Sequence, residues 1–158
     1  MSNHGTKSFP NEEQRKFEEE TSFEYAPIIS ILVPLYNTPQ NFLEQMIESV
    51  EYQTYKNWQL CLADGSDESC SFVGDICKEF AKKDPRIKYE KLENNLGISG
   101  NTNACVKLAT GNYIGLFDHD DVLHPSALYE YVKVINEKNA EKAVRIDLLL
   151  ASIQEEIL

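Results

Sequence analysis

No stretch of the 158 residues is long and apolar enough to span a bilayer. No N-terminal segment has the basic, then apolar, then small-residue order of a secretion signal. The four cysteines, Cys61, Cys70, Cys77 and Cys105, form no CxxC pair. None of His4, His119 and His124 stands at metal-ligand spacing from a cysteine, so a structural zinc site is not expected. Cys61, Cys77 and Cys105 fall among apolar neighbours, which predicts buried free thiols in a reducing compartment. Basic residues are few: 15 Lys and Arg against 26 Asp and Glu leave a formal charge of -11. A nucleic-acid partner needs a basic footprint and is not expected. A nucleotide ligand is still compatible, because a bound metal neutralises phosphates locally. The first turn of the predicted sheet has no GxGxxG, which argues against a dinucleotide-binding domain. The expected location is the cytoplasm, with peripheral attachment at the inner face of a membrane as the alternative.

What the chain does have is alternation of strands and helices. Residues 1–10 are polar and predicted disordered, and Asn11 to Glu20 reads as a charged helix with Asn11 as N-cap and Gln14 three residues on. Phe17 is its only large apolar residue, so it is expected to lie loosely on the surface. Ile28 to Leu35 is a continuous β-branched run, the pattern of a strand buried on both faces. Thr38 and Pro39 are placed to start a helix, Thr38 as cap and Pro39 at the first position. Leu43, Met46, Ile47 and Val50 recur at helical spacing behind them. Trp58 to Ala63 is a second strand, ending at Asp64-Gly65-Ser66-Asp67. Val73, Ile76, Cys77 and Phe80 form a second helical stripe, broken at Asp84-Pro85. Arg86 to Lys91 alternates as a short third strand, with Ile87 and Tyr89 on one face. After an Asn94–Gly97 loop, Asn101, Ala104, Cys105 and Leu108 mark a third helix. Tyr113 to Phe117 reads as a buried fourth strand, and Leu128, Tyr131, Val132 and Ile135 as the inward face of a helix opened by Pro125. The predicted class is α/β: a Rossmann-like, mostly parallel sheet with helices on both faces.

The special residues fall just after strands. Three aspartates, Asp118, Asp120 and Asp121, stand within four residues at the end of the fourth. Open α/β sheets bind ligands outside the carboxyl ends of their strands. Carboxylates this close oppose one another's ionisation, and a hard divalent ion relieves that repulsion. A solvated Asp-rich turn that caps the next helix is the bland alternative, but such a turn would not come with Tyr36-Asn37 and Asp64-Gly65-Ser66 converging on the same sheet edge.

Five segments in order, VPLYN (Val33 to Asn37), ADGSD (Ala63 to Asp67), NNLGISGNTNA (Asn94 to Ala104), GNYIGLFDHDD (Gly111 to Asp121) and Leu123-His124-Pro125, resemble family 2 glycosyltransferases of the GT-A fold. The resemblance runs from about Ile28 to Asn136. It implies a nucleotide-diphospho-sugar donor, commonly UDP-linked, a saccharide acceptor and a divalent metal, Mn2+ or Mg2+. It also implies roles. Pro34, Tyr36 and Asn37 would line the base and ribose pocket, and Asp64 would accept a hydrogen bond from the base. The family often carries a double Asp before Gly-Ser, whereas one Asp stands here. If Asp64 is the second of that pair, the base contact is lost. Gly97, Ser99 and Asn103 would lie near the ribose and donor sugar. Asp118 and Asp120 match the DxD motif, with Asp118 on ribose or metal and Asp120 on the metal. Asp121 is expected to support this shell, and His119 to point away from the metal.

The expected organisation is a polar leader, 1–26, a nucleotide-sugar-binding half of the GT-A fold, 27–138, and a C-terminal amphipathic helix, 139–158, with Ile146, Leu149, Leu150, Ile153 and Ile157 on one face. Family members supply a general base from an acidic motif beyond the DxD helix, and no such motif stands in this tail. Two readings follow: an inverting glycosyltransferase domain of polysaccharide synthesis, or a truncated, non-catalytic nucleotide-sugar-binding module. Leu148-Leu149-Leu150 is the candidate segment for docking a partner or a second copy, with core packing as the competing use. A DxD phosphatase would put its nucleophile after the first strand, where Pro34-Leu35-Tyr36-Asn37 stands instead.

Overall fold

A computed structural model describes residues 8–138. The predicted disorder of 1–7 and the predicted helix of 139–158, with its Leu148-Leu149-Leu150 segment, lie outside the described residues.

Strands β1 (Ile29–Leu35), β2 (Trp58–Asp64), β3 (Ile87–Lys91) and β4 (Tyr113–Leu116) form one sheet in the order β3-β2-β1-β4. Every pairing is parallel, with Leu32 opposite both Cys61 and Leu116. The chain steps outward through the first three strands, then returns to add β4 on the far side of β1. Helices α2 (Gln40–Glu51) and α3 (Phe72–Lys83) make the outward crossovers, and α4 (Gly97–Leu108) makes the return. Right-handed crossovers running in opposite directions put their helices on opposite faces. The core divides accordingly. Ile29, Ile31, Val33 and Leu35 join Trp58, Leu60 and Leu62 on the face covered by α2, α3 and α5 (Ala127–Lys138). Leu32, Cys61 and Ala63 face α4 through Ala104 and Cys105. This is the strand alternation that buries both faces of β1 and β2.

Three expectations are corrected. Tyr113 to Phe117 is not a strand buried on both faces: β4 pairs with β1 alone among the described strands, and Ile114 and Leu116 are 39% and 49% exposed. Helix α4 packs over β1 and β2, which leaves that face of β4 open. Helix α1 (Glu12–Glu20) has the expected Asn11 cap, with Gln14 N–H donating to Asn11 Oδ1 at 2.8 Å. It is tied down, however, and not by Phe17, which is exposed. Glu18 is buried and accepts from Thr54 Oγ1 at 2.8 Å, and the Arg15 guanidinium lies 3.6 Å from the centre of the Tyr52 ring. The third concerns Thr38. Pro39 is the N-cap of α2, its carbonyl accepting from Leu43 N–H, and Thr38 turns its hydroxyl elsewhere.

Candidate nucleotide and metal site

The site lies where the strand order reverses, between β1 and β4 at their carboxyl ends, which is the ligand position of open α/β sheets. A crevice of about 300 Å³ opens there. Pro34, Leu35 and Tyr36 come from the end of β1, Asn95, Gly97, Ile98 and Asn101 from the start of α4, and Asp118 and His119 from the end of β4. A second hollow, about 460 Å³, adjoins it at Asn95 and is lined on its other side by Gly65, Ser66 and Asp67.

The turn after β1 braces both neighbours. Asn37 adopts a left-handed conformation, φ 47°, which Asn tolerates better than most side chains. Its N–H donates to Ser66 Oγ at 2.9 Å, its Nδ2 to Asp67 Oδ2 at 3.0 Å, and its Oδ1 accepts from Asp67 N–H at 2.9 Å. Tyr36 Oη also donates to Asp67 Oδ2, at 3.1 Å. That carboxylate raises the pKa of the Tyr36 hydroxyl, first through the hydrogen bond and then through its charge. On the other side, Thr38 Oγ1 and His119 Nδ1 share a hydrogen bond.

The start of α4 is built by Asn101 and two glycines. Asn101 Oδ1 accepts from Leu96 N–H at 3.0 Å, and its Nδ2 donates to Asn95 Oδ1 at 2.9 Å. Gly97 takes φ 77°, and its N–H donates to Asn95 Oδ1 at 3.1 Å. At Gly65 a Cβ would stand 2.9 Å from Asn101 Nδ2 and 3.1 Å from Asn95 Cα, so only glycine lets the two loops meet at this distance.

Asp118, Asp120 and Asp121 form an acidic group whose oxygens lie within 4.8 Å of one another. Asp121 lies in the same group as Asp118 and Asp120. Burial raises its pKa, and the charges of Asp118 and Asp120 raise it further. Three hard oxygen donors in mutual repulsion suit a divalent cation such as Mg2+ or Mn2+. His119 is not in that group, and its Nδ1 is bonded to Thr38 Oγ1.

Of the residues expected at the site, Pro34, Tyr36, Gly97 and Asp118 meet in the crevice, and Asp120 stands in the acidic cluster. Asn37 braces the wall from behind. Ser99 and Asn103 are exposed on α4 and do not line the crevice. Asp64 is 1% exposed and lies beneath the sheet edge: Oδ1 accepts from Ser66 N–H at 2.9 Å and Oδ2 from Tyr89 Oη at 2.6 Å. Asp67, Asn95 and Asn101 stand in the quoted segments with no site role assigned to them, and Thr38 was expected only as a helix cap. Trp58 packs in the core with the Arg86 guanidinium 3.8 Å over its ring. His124 closes the turn into α5, its Nδ1 accepting from Ser126 N–H at 3.0 Å. Cys61 is buried and its thiol is pushed up to about 12, which removes it as a nucleophile.

Among the described residues, a parallel sheet with helices on both faces and a crevice at its switch point define a Rossmann-like α/β domain, and the carboxylate group beside the crevice could hold a divalent cation. Residues 30–145 match the family described as Glycosyl transferase family 2, and the chain belongs to that family. It is 41% identical over 121 residues to an uncharacterized protein of Sinorhizobium fredii, covering 77% of this chain and 13% of that one. The fold is similar to S. aureus TarS in complex with UDP-GlcNAc, with TM-score 0.60 and 22% identity over 69% of this chain and 31% of that one. It is also similar to the mannosyltransferase PcManGT from Pyrobaculum calidifontis in complex with GDP-Man and Mn2+, with TM-score 0.60 and 18% identity over 77% of this chain and 37% of that one. The chain thus spans well under half the length of each. Among the described residues no helix is long and apolar enough to cross a membrane.

Proposed function

We propose that this chain is the donor-binding part of a glycosyltransferase that takes a nucleotide-diphospho-sugar, UDP-linked, and passes the sugar with inversion to a saccharide acceptor in polysaccharide synthesis. The observation that carries the reading is the meeting of Pro34 and Tyr36 with Asp118 across one crevice, beside the Asp118-Asp120-Asp121 cluster. The TarS complex with UDP-GlcNAc and the PcManGT complex with GDP-Man and Mn2+ lend support through the shared fold.

In this reading Asp118 and Asp120 hold a divalent ion, Mn2+ or Mg2+. Such an ion supplies Lewis-acid stabilisation of the diphosphate leaving group. The protein's own residues do the rest of the donor work. Tyr36 and Pro34 wall the nucleoside, and the Gly97 turn lets the chain approach ribose and sugar closely. The base lies in the hollow lined by Gly65, Ser66 and Asp67. Of the exposed carboxylates that line it, Asp67, Glu68 and Glu93, Asp67 is the one bonded to the Tyr36-Asn37 turn, and it takes the base contact in place of Asp64, both of whose oxygens are engaged inside the protein.

A second reading, donor binding without transfer, has one observation in its favour. Among the described residues the crevice lining contains a single carboxylate, Asp118, which the donor side already uses, and the base that deprotonates an acceptor hydroxyl is usually a carboxylate. Calorimetry with a panel of nucleoside diphosphates, with and without Mn2+, tests the donor site. UDP binding that Mn2+ strengthens is expected, with the gain lost in Asp120→Ala, and indifference to every nucleotide overturns both readings. Sugar transfer by the 158-residue chain, lost in Asp120→Ala, decides between them.

A further inference from the structure

The DxD loop is a chain segment in which three carboxylates repel one another, and something must hold it in shape before a cation arrives. Its ends are fixed by main-chain groups: Phe117 N–H donates to Leu32 O at 3.0 Å, and Leu123 N–H to Ser49 Oγ at 3.0 Å. Between those ends His119 reaches from the loop to Thr38, a residue with no exposed surface on the turn after β1. The neighbouring residue, Asn37, carries the bonds to Ser66 and Asp67 that set the base-side hollow. One turn therefore touches both halves of the site.

Resting on the donor-site reading above, we propose that Thr38 is a positioning residue for the metal loop. Through His119 it holds the segment between Asp118 and Asp120, so that their carboxylates converge at a fixed place relative to the base hollow. The hydroxyl suits the task because it can donate to or accept from an imidazole nitrogen, so the bond survives either tautomer of His119. Neither Thr38 nor the His119 ring belongs to the acidic group, and the effect runs through the loop's shape alone. Partners that orient a metal-binding group in this way matter to affinity although they never touch the ion.

The test is Mn2+ binding to the full chain, read by the loss of the free-ion paramagnetic resonance signal, beside calorimetry with UDP in the absence of metal. Thr38→Val keeps the shape of the side chain and removes the hydroxyl. It is expected to weaken Mn2+ binding by about tenfold or more, while metal-free UDP binding stays at the wild-type value. Thr38→Ser is expected to restore Mn2+ binding. His119→Ala should show the same loss of Mn2+ affinity, and it carries the test if Thr38→Val fails to fold. The double variant should lose no more than either single one. Wild-type Mn2+ affinity in Thr38→Val or in His119→Ala overturns the proposal. So does an equal loss of metal-free UDP binding in Thr38→Val, which would mark a merely structural role. If the wild-type chain binds no Mn2+, the metal site itself fails, and that result is distinct from a wild-type site indifferent to Thr38.

Discussion

Tyr89 Oη donates to Asp64 Oδ2 at 2.6 Å beneath the carboxyl edge of the sheet, on the α3 side. Asp64 is the last residue of β2 and shares its side of the strand with Trp58, Leu60 and Leu62. Its carboxylate therefore works inside the protein, joining β3 to the loop that begins at Gly65. Tyr89→Phe should remove the donor while keeping the ring, leaving a buried carboxylate oxygen short of a partner. The expected cost is about 1–3 kcal/mol, seen as a lowered melting temperature, with UDP affinity unchanged. A large loss of UDP affinity at an unchanged melting temperature would return Asp64 to the base pocket.

The position of Asp64 was legible in principle. Strand side chains alternate, so a residue at an even number in β2 belongs with Trp58, Leu60 and Leu62, not with Cys61 and Ala63. The motif after the strand points to a ligand contact, whereas the period of the strand puts the side chain on the Trp58 side, where both its oxygens are bonded within the protein. Element order, both core faces and the Asp118–Asp121 turn were readable because each rests on local periodicity or on the strand-end rule. Three features were not. The hydroxyl of Thr38 looked free to cap α2, since a cap is a local choice, whereas its partner His119 is 81 positions away. Asn101 looked like one more residue on the inward face of α4, because spacing reports burial and says nothing of which polar atoms are bonded there. The exposure of β4 depends on how far α4 reaches across the sheet, which no local pattern encodes.

Asn101 is the next test. It is 3% exposed, and its amide serves Leu96 N–H and Asn95 Oδ1 at once. Asn101→Leu should strand both partners and free the turn at Gly97, for a cost of about 1–3 kcal/mol. Because Asn95, Gly97 and Ile98 line the crevice, UDP affinity should fall with stability, unlike the Tyr89→Phe case. Urea unfolding and calorimetry on the same variant check the pair of effects. A stable variant with full affinity would show that the turn holds itself.

Asp84 and Arg86 give a prediction in pH. Asp84 accepts from Arg86 Nη2 at 2.7 Å and from Nε and the main-chain N–H at 3.0 Å. The side-chain hydrogen bond to Arg86 is the chief reason the Asp84 pKa lies below the usual carboxylate value. A carboxyl lowered in the folded state stabilises above its unfolded pKa, and that gain is lost as pH falls through the lowered folded pKa. Asp84→Asn should therefore melt earlier than wild type at pH 7, by at most about 1 kcal/mol because Arg86 is partly exposed and solvent screens the pair. The two melting curves should converge in acid. A constant gap across the whole pH range would mean that packing, not charge, sets the difference.

Asp121 has the opposite sign. Burial, then the charges of Asp118 and Asp120, raise its pKa from the ordinary aspartate value. The folded chain therefore holds this proton more tightly than the unfolded chain does. Stability falls as pH rises from the unfolded pKa through the raised folded one, and the loss persists at neutral pH. Asp121→Asn should accordingly raise the melting temperature of the metal-free protein at pH 7, and the gain should shrink as pH is lowered. Metal binding runs against the proton, since ligation needs the ionised carboxylate. Wild-type Mn2+ affinity should fall as pH drops from 7.5 toward 5, with protons released on binding in proportion. In Asp121→Asn that pH dependence should flatten, although the affinity at pH 7.5 is lower with one charge fewer. Melting curves of the metal-free variant and Mn2+ titrations in two buffers of different ionisation enthalpy measure the two sides of this linkage. A variant that melts earlier than wild type at pH 7 and binds Mn2+ with an unaltered pH profile would show that the three aspartates do not act on one another as a unit.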